Sequence, residues 1–350
     1  MTRSLFVLCL VATASACGTP PLMGTPETPD AGQPDGGEPP DAGQSTDAGT
    51  PDAGRGPPYP IVLSHGFFGF DTFAGLDFFT YYFEVKDSLA TEGELLVFTP
   101  TVDPFNDSAT RSAQLEREIE AILATTGAAK VNLIAHSQGG LDARLVANRR
   151  PELIAAVVTV STPHRGTPVS DLVSRGLTDP QARAAVDAIV NLAASPIWTE
   201  ANSQSSITSA LAQFETAKMT AFNARVVDQP GVRYYSVAGR SALRRAAETC
   251  EADDGTRPPF IRAFDDAVDP LSPMLDATEF IISPNILDPV PNDGLVPVAS
   301  AKWGTFLGCV PADHLDEIGQ IGGLGPGLGN DWRHKPFYGS LVAFLRARGF

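Results

Sequence analysis

The stretch VNLIAHSQGG, residues 131–140, runs from an apolar segment into a serine and then a pair of glycines. VNLIA has the length and composition of a buried strand, and GGLDARLVANRR, residues 139–150, carries a helical pattern closed by Pro151. Ser137 therefore falls at a strand-to-helix turn. A turn this tight lifts the serine hydroxyl clear of the backbone. Side chains two before and two after it would strike neighbouring main chain, so very small residues belong in those places. Gly139 meets that demand fully, and Ala135 adds one methyl. On a plainer reading, Ser137 only caps the helix that begins at Gln138.

Working outward, YPIVLSHG (59–66) reads as a strand ending at His65 and Gly66, and ELLVFTPTV (94–102) as a second. In SAQLEREIEAILATTG (112–127), Leu115, Ile119, Ile122 and Leu123 recur at helical spacing, giving one buried stripe. IAAVVTVSTP (154–163), VRYYSVAG (232–239) and TEFIISP (278–284) read as further strands, and FYGSLVAFLRARG (337–349) as a closing amphipathic helix. Strands alternating with crossover helices predict an α/β chain with a mainly parallel central sheet flanked by helices. In such sheets, sites assemble at the C-terminal ends of strands, which is where Ser137 lies. Residues 167–225 are helical in pattern but more apolar than one packed face requires.

The N-terminal residues MTRSLFVLCLVATASAC pair a basic start with a short apolar run and small residues, the pattern of an export leader too short to span a bilayer. Ala14-Ser15-Ala16-Cys17 resembles a bacterial lipobox, which predicts removal of residues 1–16 and lipidation of Cys17. Ordinary cleavage near Ala16 and plain secretion is the alternative. Residues 17–56 then repeat PDAG and close variants at Pro29, Pro34, Pro40 and Pro51, a composition with too little to bury to stay anything but a solvated tether. Behind a lipidated Cys17 this tether predicts an outer-membrane or cell-surface protein, with membrane association through the lipid. Residues 57–350 remain for one large α/β domain. The formal charge of −16, with no basic cluster to offset it, argues against a nucleic-acid partner. With Cys9 lost in the leader and Cys17 carrying lipid, Cys250 and Cys309 are left as a disulfide pair suited to an oxidising compartment, or as two unrelated buried thiols.

A serine hydroxyl becomes a nucleophile only when a base takes its proton, and a histidine does this best with a carboxylate behind it. His164, His314 and His334 follow Ser137. His314 in PADHLDEIGQ comes after Asp293 in PNDGLVPVAS, which is set just past a predicted strand, giving an acid on one loop and a base on the next. His164 in STPHRGTP is out of order for a base and reads as loop packing, and His334 is a weaker second choice of base. The oxyanion N–H groups fall to Gln138 and to Phe67, which follows Gly66.

YPIVLSHGFFGFD, VNLIAHSQGGLDAR, STPHRGTPVSD, NDGLVPV and DHLDEIGQ, in this order, resemble the true lipases of Pseudomonas and Burkholderia, with the α/β-hydrolase fold, over nearly all of the chain from Tyr59. The resemblance implies Ser137 as nucleophile, Asp293 as acid, His314 as base, and Phe67 and Gln138 as oxyanion donors. It also implies a structural Ca2+ held by Asp316, the carbonyls of Gln320 and Leu324, and Asp269, with Asp265, Asp266 or Asp276 as replacements for Asp269. Oxygen ligands of this kind suit a hard cation. It further implies a helical lid within residues 167–225, with AVDAIVNLAASPIW (185–198) as the moving part, a lipid ester substrate and a dedicated folding chaperone. The implied activity is triacylglycerol hydrolysis, with a carboxylesterase, a polyester hydrolase or a non-catalytic lipid-binding surface protein as alternatives. The chain departs from the family at Ala135, where glycine is usual, and at Cys309, which falls late for the second cysteine.

Overall fold

Runs that are apolar at every position need cover on both faces, and the central strands have it. A computed structural model describes residues 54–67, 81–175, 210–241, 250, 257–285, 287–320, 325–327 and 329–350. The strands are β1 (Ile61–Ser64), β2 (Val97–Phe98), β3 (Val131–His136), β4 (Ile154–Val160), β5 (Arg233–Gly239) and β6 (Thr305–Val310). They form one parallel sheet in the order β2-β1-β3-β4-β5-β6. Every residue of β1, β3 and β4 is buried.

The helices are α1 (Val85–Thr91), α2 (Ser108–Thr126), α3 (Gln138–Arg149), α4 (Pro168–Val173), α5 (Thr216–Arg225), α6 (Pro259–Arg262), α7 (Asp276–Ile282), α8 (Val298–Ala301) and α9 (His334–Arg346). Alternation along the strands divides the core in two. Val62, Leu133 and Val157 pack with Leu115 and Ile119 of α2 and Val146 of α3. Ile61, Ile134 and Val158 face the other way, toward Leu89 of α1 and Leu341 and Leu345 of α9. The ends of α2 are set by Asp107, whose carboxylate accepts the Thr110 N–H, and by Gly127 in the left-handed region at φ 66°. No helix among the described residues is long and apolar enough to cross a membrane.

Several sequence expectations are corrected here. ELLVFTPTV contracts to the two residues of β2, because Leu95 and Leu96 face solvent and Pro100 has no N–H to give a ladder. TEFIISP falls in helix α7, not a strand: Thr278, Glu279 and Ile282 are its buried positions, a helical spacing that continues from buried Leu275 just before it. Asp293 does not follow a strand. It sits in a loop whose Asn292 forms single bridges to Ser241 and Pro297. TFLGCV, broken by Gly308 at φ 120°, forms β6 without having been expected as a strand. Cys250 and Cys309 form a disulfide with a Cα–Cα distance of 5.2 Å, which excludes two unrelated thiols. Helices α4 and α5 bracket the expected lid, while residues 185–198, like residues 1–53, lie outside the described residues.

Candidate active site

The chain steps from β1 outward to β2, then crosses to the other side of β1 for β3, so connections diverge between β1 and β3 and leave a crevice at their C-terminal ends. Phe67 lies just past β1, and Ser137 directly follows β3. Ser137 has φ 55° and ψ −131°, a backbone conformation that a serine adopts only when its surroundings enforce it. Its N–H donates to Val160 O at 2.9 Å, and Thr162 Oγ1 donates to Ser137 O at 2.7 Å, so the turn is clamped to the end of β4. A Cβ on Gly139 would lie 2.5 Å from Ser64 O, and one on Gly140 would lie 2.0 Å from Thr162 Oγ1. Both glycines are needed for close approach. Ala135 is wholly buried, and its methyl belongs to the core cluster of Val62 and Val157.

His314 Nε2 stands 2.9 Å from Ser137 Oγ, and His314 Nδ1 stands 2.7 Å from Asp293 Oδ2. The other Asp293 oxygen accepts the N–H groups of Leu295 (2.9 Å) and Val296 (2.6 Å), and the His314 N–H donates to Asp293 O at 3.0 Å. A carboxylate so held draws the Nδ1 proton toward itself and turns the Nε2 lone pair to the serine. His164 and His334 are engaged elsewhere. His164 bonds Thr159 and Arg144 and stacks on Trp303, and His334 Nε2 meets Phe83 O.

The loop after β1 has its own frame. His65 Nε2 accepts the Val102 N–H at 3.1 Å, so its proton is on Nδ1, which donates to Gly66 O at 2.9 Å. Burial, with Arg111 nearby, lowers the His65 pKa to about 3 and keeps the ring neutral. Arg111 donates to His65 O at 2.6 Å and to Asp103 O at 2.6 Å, and pairs with Asp142 of α3 at 2.7 Å. Burial raises Asp142 to about 6 against the pull of Arg111. Ser137 and His314 open into a cavity of about 690 Å³, counting space open to solvent, lined by Phe67, Val169, Leu211, Phe214 and Leu295 among others. This predominantly apolar lining suits a hydrocarbon ligand.

The chain is similar to known proteins along most of its length. A triacylglycerol lipase of Vibrio cholerae is 32% identical over 289 residues, covering 76% of this chain and 81% of the relative. The chain belongs to the triacylglycerol lipase family. Within that family it is also 30% identical to a triacylglycerol lipase of Burkholderia plantarii, over 76% of this chain and 80% of the relative. Residues 59–221 match the α/β-hydrolase fold. Among solved structures, the mature Bacillus licheniformis lipase superposes with a TM-score of 0.54 at 19% identity, covering 82% of this chain and 94% of the other.

In this lipase-family chain a second group of acids gathers beside the base. Asp269, Asp313 and Asp316 are all buried, and each brings a carboxylate oxygen within 4.8 Å of the others. Asp265, Asp266 and Asp276 are not in the group found among the described residues. Asp313, which sequence reasoning missed, accepts the N–H groups of Leu315 and Asp316 at 2.9 Å and of Ser272 at 2.7 Å. Asp269 Oδ2 is buried with no hydrogen-bond partner. Burial and the neighbouring carboxylates raise Asp269 to about 7 and Asp316 to about 8. Gln320 borders the cavity, and Leu324 lies outside the described residues. Arg111, Asp142, Tyr81 and Glu317 were also missed. Glu317 stood in the DHLDEIGQ motif, whereas nothing in the sequence around Tyr81 marked it.

Proposed function

We propose that the protein hydrolyses triacylglycerol esters through an acyl-enzyme on Ser137. One observation carries this reading: the unbroken hydrogen-bonded line from Ser137 Oγ through the His314 ring to Asp293, opening into an apolar cavity. In this mechanism His314 Nε2 takes the hydroxyl proton as Oγ attacks the ester carbonyl, and buried Asp293 stabilises the imidazolium that results. The N–H groups of Phe67 and Gln138 receive the developing oxyanion, and Gln138, as the first residue of α3, has no intrahelical acceptor for its N–H. The intermediate expels the alcohol with the proton from Nε2. Water then attacks the acyl-enzyme with the same histidine as base and frees the fatty acid. The relatives' activity and the apolar lining both support an acylglycerol substrate.

We assign a structural calcium ion to the carboxylates of Asp269 and Asp316 with the Gln320 carbonyl. The partnerless Asp269 Oδ2 and an all-oxygen donor set support a hard cation there. Such an ion supplies fixed positive charge that holds the loop of His314 in register. The basic-apolar leader and the PDAG repeats support export, a lipid anchor at Cys17, a tether over residues 17–56 and a catalytic domain over residues 57–350. Release of the protein from the membrane fraction by Cys17→Ser is the check, and unchanged retention would discard the anchor.

The decisive experiment is titration of fatty acid released from emulsified long-chain triacylglycerol by the wild type and by Ser137→Ala. The substitution is expected to remove activity by at least about 10⁴-fold with the fold intact. Activity surviving in the folded variant, or wild-type activity confined to soluble short-chain esters, would defeat the reading.

A further inference from the structure

A second line of hydrogen bonds runs beneath the first. The Tyr81 hydroxyl meets His136 Nδ1 at 2.6 Å, and His136 Nε2 meets Glu317 Oε2 at 2.8 Å. Ser161 Oγ donates to Glu317 Oε1 at 2.6 Å and accepts the Gly239 N–H at 2.8 Å. At the other end, the Tyr81 hydroxyl lies directly against Gly66. All four side chains are buried, Glu317 completely.

The chain makes room for this line at a cost. A Cβ on Gly66 would fall 2.6 Å from both the Tyr81 hydroxyl and Ser137 Cβ, and one on Gly239 would fall 1.9 Å from Glu317 Oε1 and 2.8 Å from Asp293 Cβ. Ser161 is held at φ 46°, a left-handed conformation that a serine keeps only when several contacts fix it. A buried carboxylate and three more polar side chains are also a costlier filling than hydrocarbon of the same shape. Mere packing does not require such an arrangement.

What the line touches gives it a use. Gly66 precedes Phe67, His136 precedes Ser137, and Glu317 lies in the turn that begins at His314. The His136 ring also packs on the His314 ring with centroids 4.5 Å apart. The line therefore meets, within one turn of chain, each group that the proposed hydrolysis needs in register. Resting on that reading, we propose that Tyr81, His136 and Glu317 are positioning residues that fix the Phe67 N–H, Ser137 Oγ and His314 Nε2 relative to one another. They form and break no substrate bond. Their effect is on the spacing of groups that do, where about 1 Å of misplacement can cost about a hundredfold in rate.

The test compares full-length wild type, Tyr81→Phe, Glu317→Ala, Glu317→Gln, the Tyr81→Phe/Glu317→Ala double variant and Ser137→Ala. The readouts are kcat and KM on p-nitrophenyl butyrate, the rate at which a p-nitrophenyl phosphonate labels Ser137, and the melting midpoint. Tyr81→Phe keeps the ring and removes only the hydroxyl. It is expected to lower kcat and the labelling rate by about 10- to 100-fold with KM within about twofold. Glu317→Ala should do the same, the double variant should fall little below the worse single one, and Glu317→Gln, which can still bond Ser161 and His136, should recover most of the rate. Three results would overturn the inference: a Tyr81→Phe kcat within about threefold of wild type, losses that multiply in the double variant, or a rate that follows the melting midpoint and is not rescued by glutamine. Wild-type turnover with unmoved variants defeats this inference alone. A wild type without ester hydrolysis defeats the lipase reading and this one with it.

Discussion

The methyl of Ala135 and the missing methyl of Gly140 lie five residues apart and meet opposite surroundings. Ala135 points from β3 into the cluster shared with Val62 and Val157, away from the serine turn, so its extra carbon is core packing. Gly140 faces Thr162, whose hydroxyl holds the Ser137 carbonyl. Ala135→Gly should cost about 1–2 kcal/mol, for one buried methyl and a more flexible unfolded chain, with kcat unchanged. Gly140→Ala should cost more than that and remove most activity, because the new carbon can enter only by pushing Thr162 off the turn. Urea unfolding together with ester kinetics on the two variants checks both, and a fully active Gly140→Ala would mean that the clamp on Ser137 is dispensable. The departure from glycine at position 135 is thus answered by the direction in which that side chain points.

At the scale of elements, the turn after β1 is fastened to α2 and α3 through a neutral His65, Arg111 and Asp142. A histidine whose folded pKa of about 3 lies below its unfolded value of about 6.5 gives stability that is complete above about pH 6.5 and is lost as pH falls toward about 3. From about pH 6.5 to about pH 5 this amounts to about 2 kcal/mol, and His65→Asn should lose that much less over the same interval. Parallel urea-unfolding curves for the two proteins across that interval would contradict it. The same elements show what was legible beforehand. β1, β3, β4, α2 and α3 are continuous patterns whose burial is uniform, and the sequence displays them directly. TEFIISP misleads because its apolar cluster at Phe280, Ile281 and Ile282 resembles a strand, while the positions that seat it as a helix include the polar Thr278 and Glu279. β6 carries Gly308 and a disulfide cysteine, which blur its pattern. The spacing of Ser137, Asp293 and His314 could be anticipated from chain order. The line from Tyr81 to Glu317 could not, because its members come from four separate segments and only the folded sheet ends bring them together.

For the molecule as a whole, an ion that binds the native state and not the unfolded chain adds RT ln(1 + [L]/Kd), about 2.7 kcal/mol at a hundredfold excess over its Kd. A chelator should therefore lower the melting midpoint, calcium should restore it, and Asp316→Asn should be indifferent to both. Calorimetry checks this, and equal wild-type midpoints with and without chelator would remove calcium from the account. The sheet itself has a further consequence at this scale. Its outer strand on one side is only the two residues of β2, and on the other side β6 is offset from β5 by a register shift between Ser236 and Ala238, with Ile261 of α6 set against Gly308. On the lipase reading proposed above, molecules are crowded together at a lipid surface, a condition in which long bare strand rims pair between molecules and aggregate. Neither rim among the described residues is a long straight strand, β2 having two residues and β6 being broken by Gly308 at φ 120°, so these rims offer such pairing little to template.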